Sequence, residues 1–181
     1  MIRFTFKPEK FVNAIAYFIQ QCPGVGRTKA CKLLYFADKE HLLRYGRPIT
    51  GDRYYRLPYG PIPTKGLNML RGMSTPANAA LLNRWLSLEG ENIRAKRRPD
   101  LTVFSKSDLR VLEEICTNYG GYSATYLSKL SHKEAPWKKT NPSEPIDFAL
   151  FFEGRPETEE LRKIVEREQK SRKVLALYRG F

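Results

Sequence analysis

Several things are missing from this 181-residue chain, and each absence excludes a class of protein. No apolar run approaches the roughly 20 residues that a membrane span needs, so no membrane partner is expected. Residues Met1 to Lys10 hold neither an apolar h-region nor a small-residue cleavage site, which makes a cytoplasmic location the expectation. Acidic residues are scarce: 19 Asp and Glu stand against 32 Lys and Arg, a net charge of +13. Cysteine is scarcer still. Cys22, Cys31 and Cys116 are odd in number and show no CxxC spacing, and the only histidines are His41 and His132. That pattern gives neither a disulfide framework nor a zinc site, so no metal or cofactor is expected and the thiols are read as core residues. The P-loop, GxSxG, HExxH and GxGxxG signatures are also missing. The expectation is a binding protein and not an enzyme.

What is present describes a folded chain. Hydrophobic residues make up 41% and aromatics 12%, too many for disorder. The positive charge is concentrated, with +7 in residues 1–60 and +3 in each later third. Such a field favours an anionic partner, which is nucleic acid or an acidic protein, although charge also serves plain solubility.

Apolar spacing predicts a mostly α (α+β) fold with one small β-hairpin, a single domain over 1–181. Phe11, Ile15, Phe18 and Ile19 mark a first helix, opened by Pro8 and stopped by Pro23-Gly24. A second helix runs from a Thr28 cap to about Tyr45, with Leu33, Leu34, Ala37 and His41 or Leu42 inside and Gly46 after it. The run 46–66 is rich in Gly and Pro, so it reads as a tight loop around a short strand at Arg53–Leu57. A third helix starts at Pro63 or Thr64, with Leu67 and Leu70 or Met73 inside. Residues 74–90 read as one helix with Ala80, Leu81, Trp85 and Leu88 inward, and 91–104 as strand-like. Ser105 to Asp108 form a capping box for a helix carrying Leu109, Leu112 and Cys116. Ser123 caps the next, with Leu127 and Leu130 buried. Phe148, Phe151 and Phe152 form a short buried turn. A charged helix from Glu157 to Tyr178 carries Leu161, Ile164 or Val165, Val174 and Leu175.

Three groups of residues have chemistry to offer. Asp38 and His41 are three apart on one helix face and can pair. Arg53, Tyr54, Tyr55, Arg56 and Tyr59 are the densest part of a basic and aromatic run that begins at Arg44. Such residues dominate protein-interface hot spots and also stack on bases, and they can equally pack locally. Arg94, Lys96, Arg97 and Arg98 form the strongest charge run and are the candidate nucleic-acid contacts, or a charged edge strand kept from aggregating.

Three stretches together are similar to a known family. They are Lys32 to Asp38; Gly46 to Tyr55 continuing through Pro58-Tyr59-Gly60-Pro61-Ile62-Pro63; and Leu130-Ser131-His132 with Ala135-Pro136-Trp137. Their order resembles the Panacea domain family, which includes SocA-like antitoxins and phage-associated proteins of similar size. The resemblance covers about residues 11–137 and leaves 138–181 as a C-terminal helical extension. It implies an antitoxin of a toxin–antitoxin system that neutralises a cognate protein toxin by direct binding. A protease is a further partner it allows, since one member acts as a protease adaptor. With a toxin as partner, the Tyr and Arg content of the 46–63 run makes Arg53, Tyr54, Tyr55, Arg56 and Tyr59 the expected toxin contacts, with the C-terminal helix as a second candidate surface. Asp38, Gly51, Asp52, Gly60, Pro61, His132 and Trp137 are the expected fold-defining motif. The alternative, carried by the charge, is a basic nucleic-acid-binding regulator or phage accessory protein.

Overall fold

Pro8 opens helix α1 (Pro8–Gln21) at a position where its missing N–H is harmless. The computed structural model describes residues 2–178, with side chains as far as residue 171. Phe11, Ile15 and Phe18 are fully buried, as the spacing predicts. Helix α2 (Arg27–Tyr45) ends on Gly46, whose φ of 73° is the left-handed conformation glycine adopts at a helix end. Thr28 does not cap it. The cap position is Gly26, and the Arg27 N–H donates to the Glu91 carbonyl at 2.9 Å. A backbone carbonyl from a distant turn replaces the expected hydroxyl.

Helix α2 is enclosed far beyond one stripe. Lys29, Lys32, Asp38, Lys39 and His41 are buried beside Leu33, Leu34 and Ala37. It packs against α1, several of the helices that follow and the first hairpin. This makes it the central element of the molecule.

The Gly/Pro run becomes a hairpin, β1 (Tyr54–Leu57) and β2 (Gly60–Pro63), with Tyr54 opposite Pro63 and Leu57 opposite Gly60. Helix α3 (Thr64–Leu70) follows, burying Met69 and Leu70 while Met73 is exposed. The helix expected over 74–90 stops at Trp85. Helix α4 (Pro76–Trp85) leads into β3 (Leu86–Glu89), which pairs with β4 (Asn92–Ala95) across a turn holding Gly90 at φ 61°. Leu82, Leu86 and Ile93 are the buried residues there, and Ala80 is exposed. The fold is therefore α+β with two small hairpins where one was expected.

Helix α5 (Lys106–Tyr119) begins with the predicted capping box, Ser105 and Asp108 bonding reciprocally. Helix α6 (Ala124–His132) is capped by Ser123, and the short α7 (Ala135–Lys138) follows. Phe148, Phe151 and Phe152 are buried in a 3-10 turn. Helix α8 (Glu159–Tyr178) seats Val165, while Ile164 is exposed. Val174 and Leu175 lie outside the residues whose side chains are described.

Candidate binding site

The first hairpin is held from every side. Along β1 the side chains alternate, so Tyr54 and Arg56 share one face. The N–H of Ile146 donates to the Tyr54 carbonyl at 2.8 Å, and the Arg56 N–H donates to the Glu144 carbonyl at 3.0 Å. Side chains claim three further carbonyls. Trp137 Nε1 donates to Leu57, Ser128 Oγ to Tyr59 and Lys32 Nζ to Pro61, at 3.3, 2.9 and 2.9 Å. Arg56 lies 4.3 Å from the Trp137 ring centre and donates to the Thr140 carbonyl at 2.8 Å. His132 stacks on the same indole at 4.1 Å.

Two buried carboxylates fix the loop that leads in. Asp38 accepts from the Thr50 N–H at 2.8 Å, from the Thr50 hydroxyl, and from the Tyr54 hydroxyl at 2.9 Å. Burial raises its pKa above the usual carboxylate value, and these donors partly oppose the shift. Asp52 accepts from the N–H groups of Arg53, Lys65 and Gly66 at 2.7, 3.2 and 2.6 Å. Burial pushes its carboxyl up to about 6, against those same bonds.

The expected pairing of Asp38 with His41 does not occur. His41 Nδ1 donates to the Arg47 carbonyl at 2.6 Å, and Nε2 lies 3.0 Å from both Ser107 Oγ and Asp108 Oδ1. Arg47 and Lys10 also pair with Asp108. Burial alone would raise the Asp108 pKa. The hydrogen bonds from His41, Lys10 and the Ser105 N–H, with the Arg47 charge, override it and hold the carboxyl well below its usual range.

Lys32 has no carboxylate partner among the described residues. It is fully buried, and burial lowers its pKa to about 8. A Cβ added at Gly60 would stand 2.6 Å from Ser131 Oγ, 2.7 Å from Lys32 Nζ and 3.2 Å from His132 Nε2. Gly60, with φ 96°, thus lets the hairpin turn close onto these three polar groups. Burial, with the Lys32 and Arg56 charges, lowers the His132 pKa.

The expected contact residues separate. Tyr54 is 1% exposed and is held by Asp38, which removes it from any contact surface. Arg56 is committed to Trp137 and Thr140. Arg44 and Arg47 pair with Glu114 and Asp108. Arg53 and Tyr55 line a cleft of about 310 Å³ between the hairpin and residues 2–6. Tyr59 stands at the turn, 76% exposed. Pro61 and Trp137 lie in the clamp just described, and Gly51 lies where the N-terminal segment crosses. Arg3 and Lys65 also line the cleft, and the sequence reading missed both. Arg3 is 50 residues from Arg53, and only the alternation of Ile2, Phe4 and Phe6 with exposed Arg3 and Thr5 hints at an extended, docked segment.

The 94–98 cluster is engaged locally. Arg94 pairs with Glu89 at 3.5 Å, Lys96 donates to the Asn83 carbonyl at 2.7 Å, and Arg97 lies 5.4 Å from the Trp85 ring centre. Arg98 is exposed. Two of the cysteines meet and the third stands apart. Cys22 hydrogen-bonds Cys116, which lowers the Cys22 pKa and raises that of Cys116, while burial pushes Cys31 up to about 12.

In comparison with known proteins, the family described as antitoxin SocA-like, Panacea domain, matches residues 31–138, more than half of the chain. No curated protein and no solved structure matches it.

Proposed function

The chain belongs to the family of SocA-like antitoxins with a Panacea domain, and from that premise we propose that it binds a cognate protein toxin directly and neutralises it without catalysis. The family match supports the antitoxin-like role. The observation that supports direct binding is the clamped hairpin, which holds Arg53, Tyr55 and Tyr59 on a backbone tied down by α2, α6 and α7. A surface already fixed in place loses little conformational entropy when a partner docks. Aromatic and arginine side chains on such a surface are the residue types that dominate interface energetics. The positive first third would speed encounter with an acidic partner. The 94–98 cluster lends the nucleic-acid alternative little support, because three of its four side chains have neighbours on their own hairpin or on α4.

A tagged pull-down from the native host, with and without nuclease, tests this reading. One small stoichiometric protein that survives nuclease and is toxic when expressed alone is the expected result. Ribosomal or DNA-bound proteins that vanish with nuclease would overturn it.

A further inference from the structure

We propose that the cleft between residues 2–6 and the first hairpin receives an acidic segment of the partner protein, one carboxylate among Arg3, Arg53 and Lys65 and an apolar neighbour against Phe4 and Phe148. This rests on the protein-binding reading above and adds the chemistry of the partner.

Three cationic side chains line this cleft, and none makes an ion pair or a side-chain hydrogen bond among the described residues. Elsewhere, Lys10, Lys39, Arg44 and Arg47 each have an acidic partner, and Lys29, Lys32 and Arg56 donate to backbone carbonyls. The cleft therefore gathers three cations without an acidic or carbonyl partner among the described residues beside an apolar lining of Ile2, Phe4, Phe6 and Phe148. An occupant that satisfies both is acidic and apolar at once.

A phosphate ligand fits less well. The backbone N–H groups that would hold it, those of Arg53, Lys65 and Gly66, already donate to Asp52. The Asp52 carboxylate would repel a dianion more than a single carboxylate. Strand addition to β1 is closed as well. One edge of β1 carries β2, and the other bonds residues 143–146. Recognition at β1 therefore runs through its side chains.

The walls of the cleft have two origins. Gly51 to Tyr55 and Thr64-Lys65 lie inside the family match over 31–138, whereas Arg3, Phe4, Phe6, Ile146 and Phe148 lie outside it. The outer wall is nonetheless fixed: Phe4 packs edge-on against Phe148 at 5.3 Å, and the Ile2 N–H donates to Asp147 at 3.0 Å. The family-matched region supplies half of the cleft, with Arg53 and Lys65, and the flanking segments add Arg3 and most of the apolar lining.

The test uses the full chain and an array of short fluorescent peptides combining Asp or Glu with Phe, Leu or Trp, beside the same array with Asn and Gln. Acidic peptides are expected to bind, and the amide counterparts to bind at least about tenfold more weakly. Arg53→Glu with Lys65→Glu should abolish the preference, while Arg98→Glu, on the other hairpin, leaves it unchanged. Arg53→Gln with Lys65→Met serves if the reversed variant fails to fold. Equal affinity for acid and amide peptides, an unchanged preference in the variants, or no binding up to about 1 mM peptide overturns the proposal. So does displacement of the peptides by ATP or RNA in preference to excess acidic peptide. The pull-down separates the two readings. A toxic protein captured equally by wild type and by the reversed variant overturns the cleft proposal alone. No captured protein, with acid-dependent peptide binding intact, overturns the antitoxin reading alone.

Discussion

The Tyr54 hydroxyl donates to the Asp38 carboxylate at 2.9 Å, and both residues are 1% exposed. This bond joins the central helix to the strand that carries the candidate site, and the Thr50 N–H shares the carboxylate at 2.8 Å. Tyr54→Phe removes one donor and leaves the carboxylate to Thr50. A stability loss of about 1–3 kcal/mol is expected, the cost of under-satisfying a buried charged group. Asp38→Asn should cost a comparable amount, and the pair should couple by at least about 0.5 kcal/mol in a double-mutant cycle. Urea denaturation of the four proteins measures this. Strictly additive losses would show that the bond carries no energy of its own.

Gly51 makes the outer wall of the cleft possible. Its φ is 68°, and a Cβ there would stand 2.3 Å from the Thr5 carbonyl oxygen. The backbone of residues 2–6 crosses over that point, and the Lys7 N–H donates to the Thr50 carbonyl at 2.8 Å. Gly51→Ala therefore meets a left-handed backbone and a backbone clash together, and a loss of about 1–3 kcal/mol is expected. The loss should be local. Amide exchange should accelerate at residue 7 and the neighbouring N-terminal amides, while the core of α2 stays protected. Uniform acceleration over the whole chain would contradict this docking role.

Most of the fold was legible because local signals and packing agree. Pro8, Gly46, Ser105 and Ser123 each mark a helix end, and the structure uses all four. The reading failed where a distant partner decides. Trp85 and Leu88 continue a helical spacing from Leu81, yet the turn at Gly90 and pairing with β4 make Leu86 to Glu89 a strand. Thr28 looks like a cap, but the Glu91 carbonyl takes the helix end first. The site was half legible. The Gly/Pro/Tyr/Arg run located the hairpin, but composition does not say which side chains point inward, so Tyr54 was counted with Tyr55. The unmatched charge at Arg3 and Lys65 depends on which other basic residues find acids, and only the folded chain decides that.

Lys32 gives the protein a specific pH dependence. Its folded pKa, about 8, lies below the usual lysine value of 10.5. Between those values the unfolded chain binds more protons than the folded one, so stability rises with pH across that window. Below about pH 8 the ammonium is charged in both states and the burial penalty is complete. The slope from this group approaches about 1.4 kcal/mol per pH unit at most. Lys32→Met loses that slope, although it also leaves the Pro61 carbonyl without its donor at every pH. Urea unfolding of both proteins at pH 8, 9 and 10 isolates the difference. Parallel curves would show that Lys32 titrates normally in the folded state.

Tyr59 separates binding from stability most cleanly. Its carbonyl is fixed by Ser128, yet its side chain is 76% exposed and lies at the tip of a rigid turn. Removing the ring should change stability by no more than about 0.5 kcal/mol, as for other exposed positions without special contacts. If the hairpin tip enters the interface, Tyr59→Ala should weaken the captured partner by about tenfold or more, the range of an aromatic hot spot. Tyr122→Ala is the comparison, because Tyr122 is also exposed but packs against Tyr126, 4.6 Å away. Calorimetric titration of the partner against wild type and both variants reads this out. An unchanged Kd for Tyr59→Ala would remove the tip from the interface and leave Arg53 and Tyr55, in the cleft, to carry recognition. Loss in both variants would instead point to an interface that runs from the hairpin onto α6.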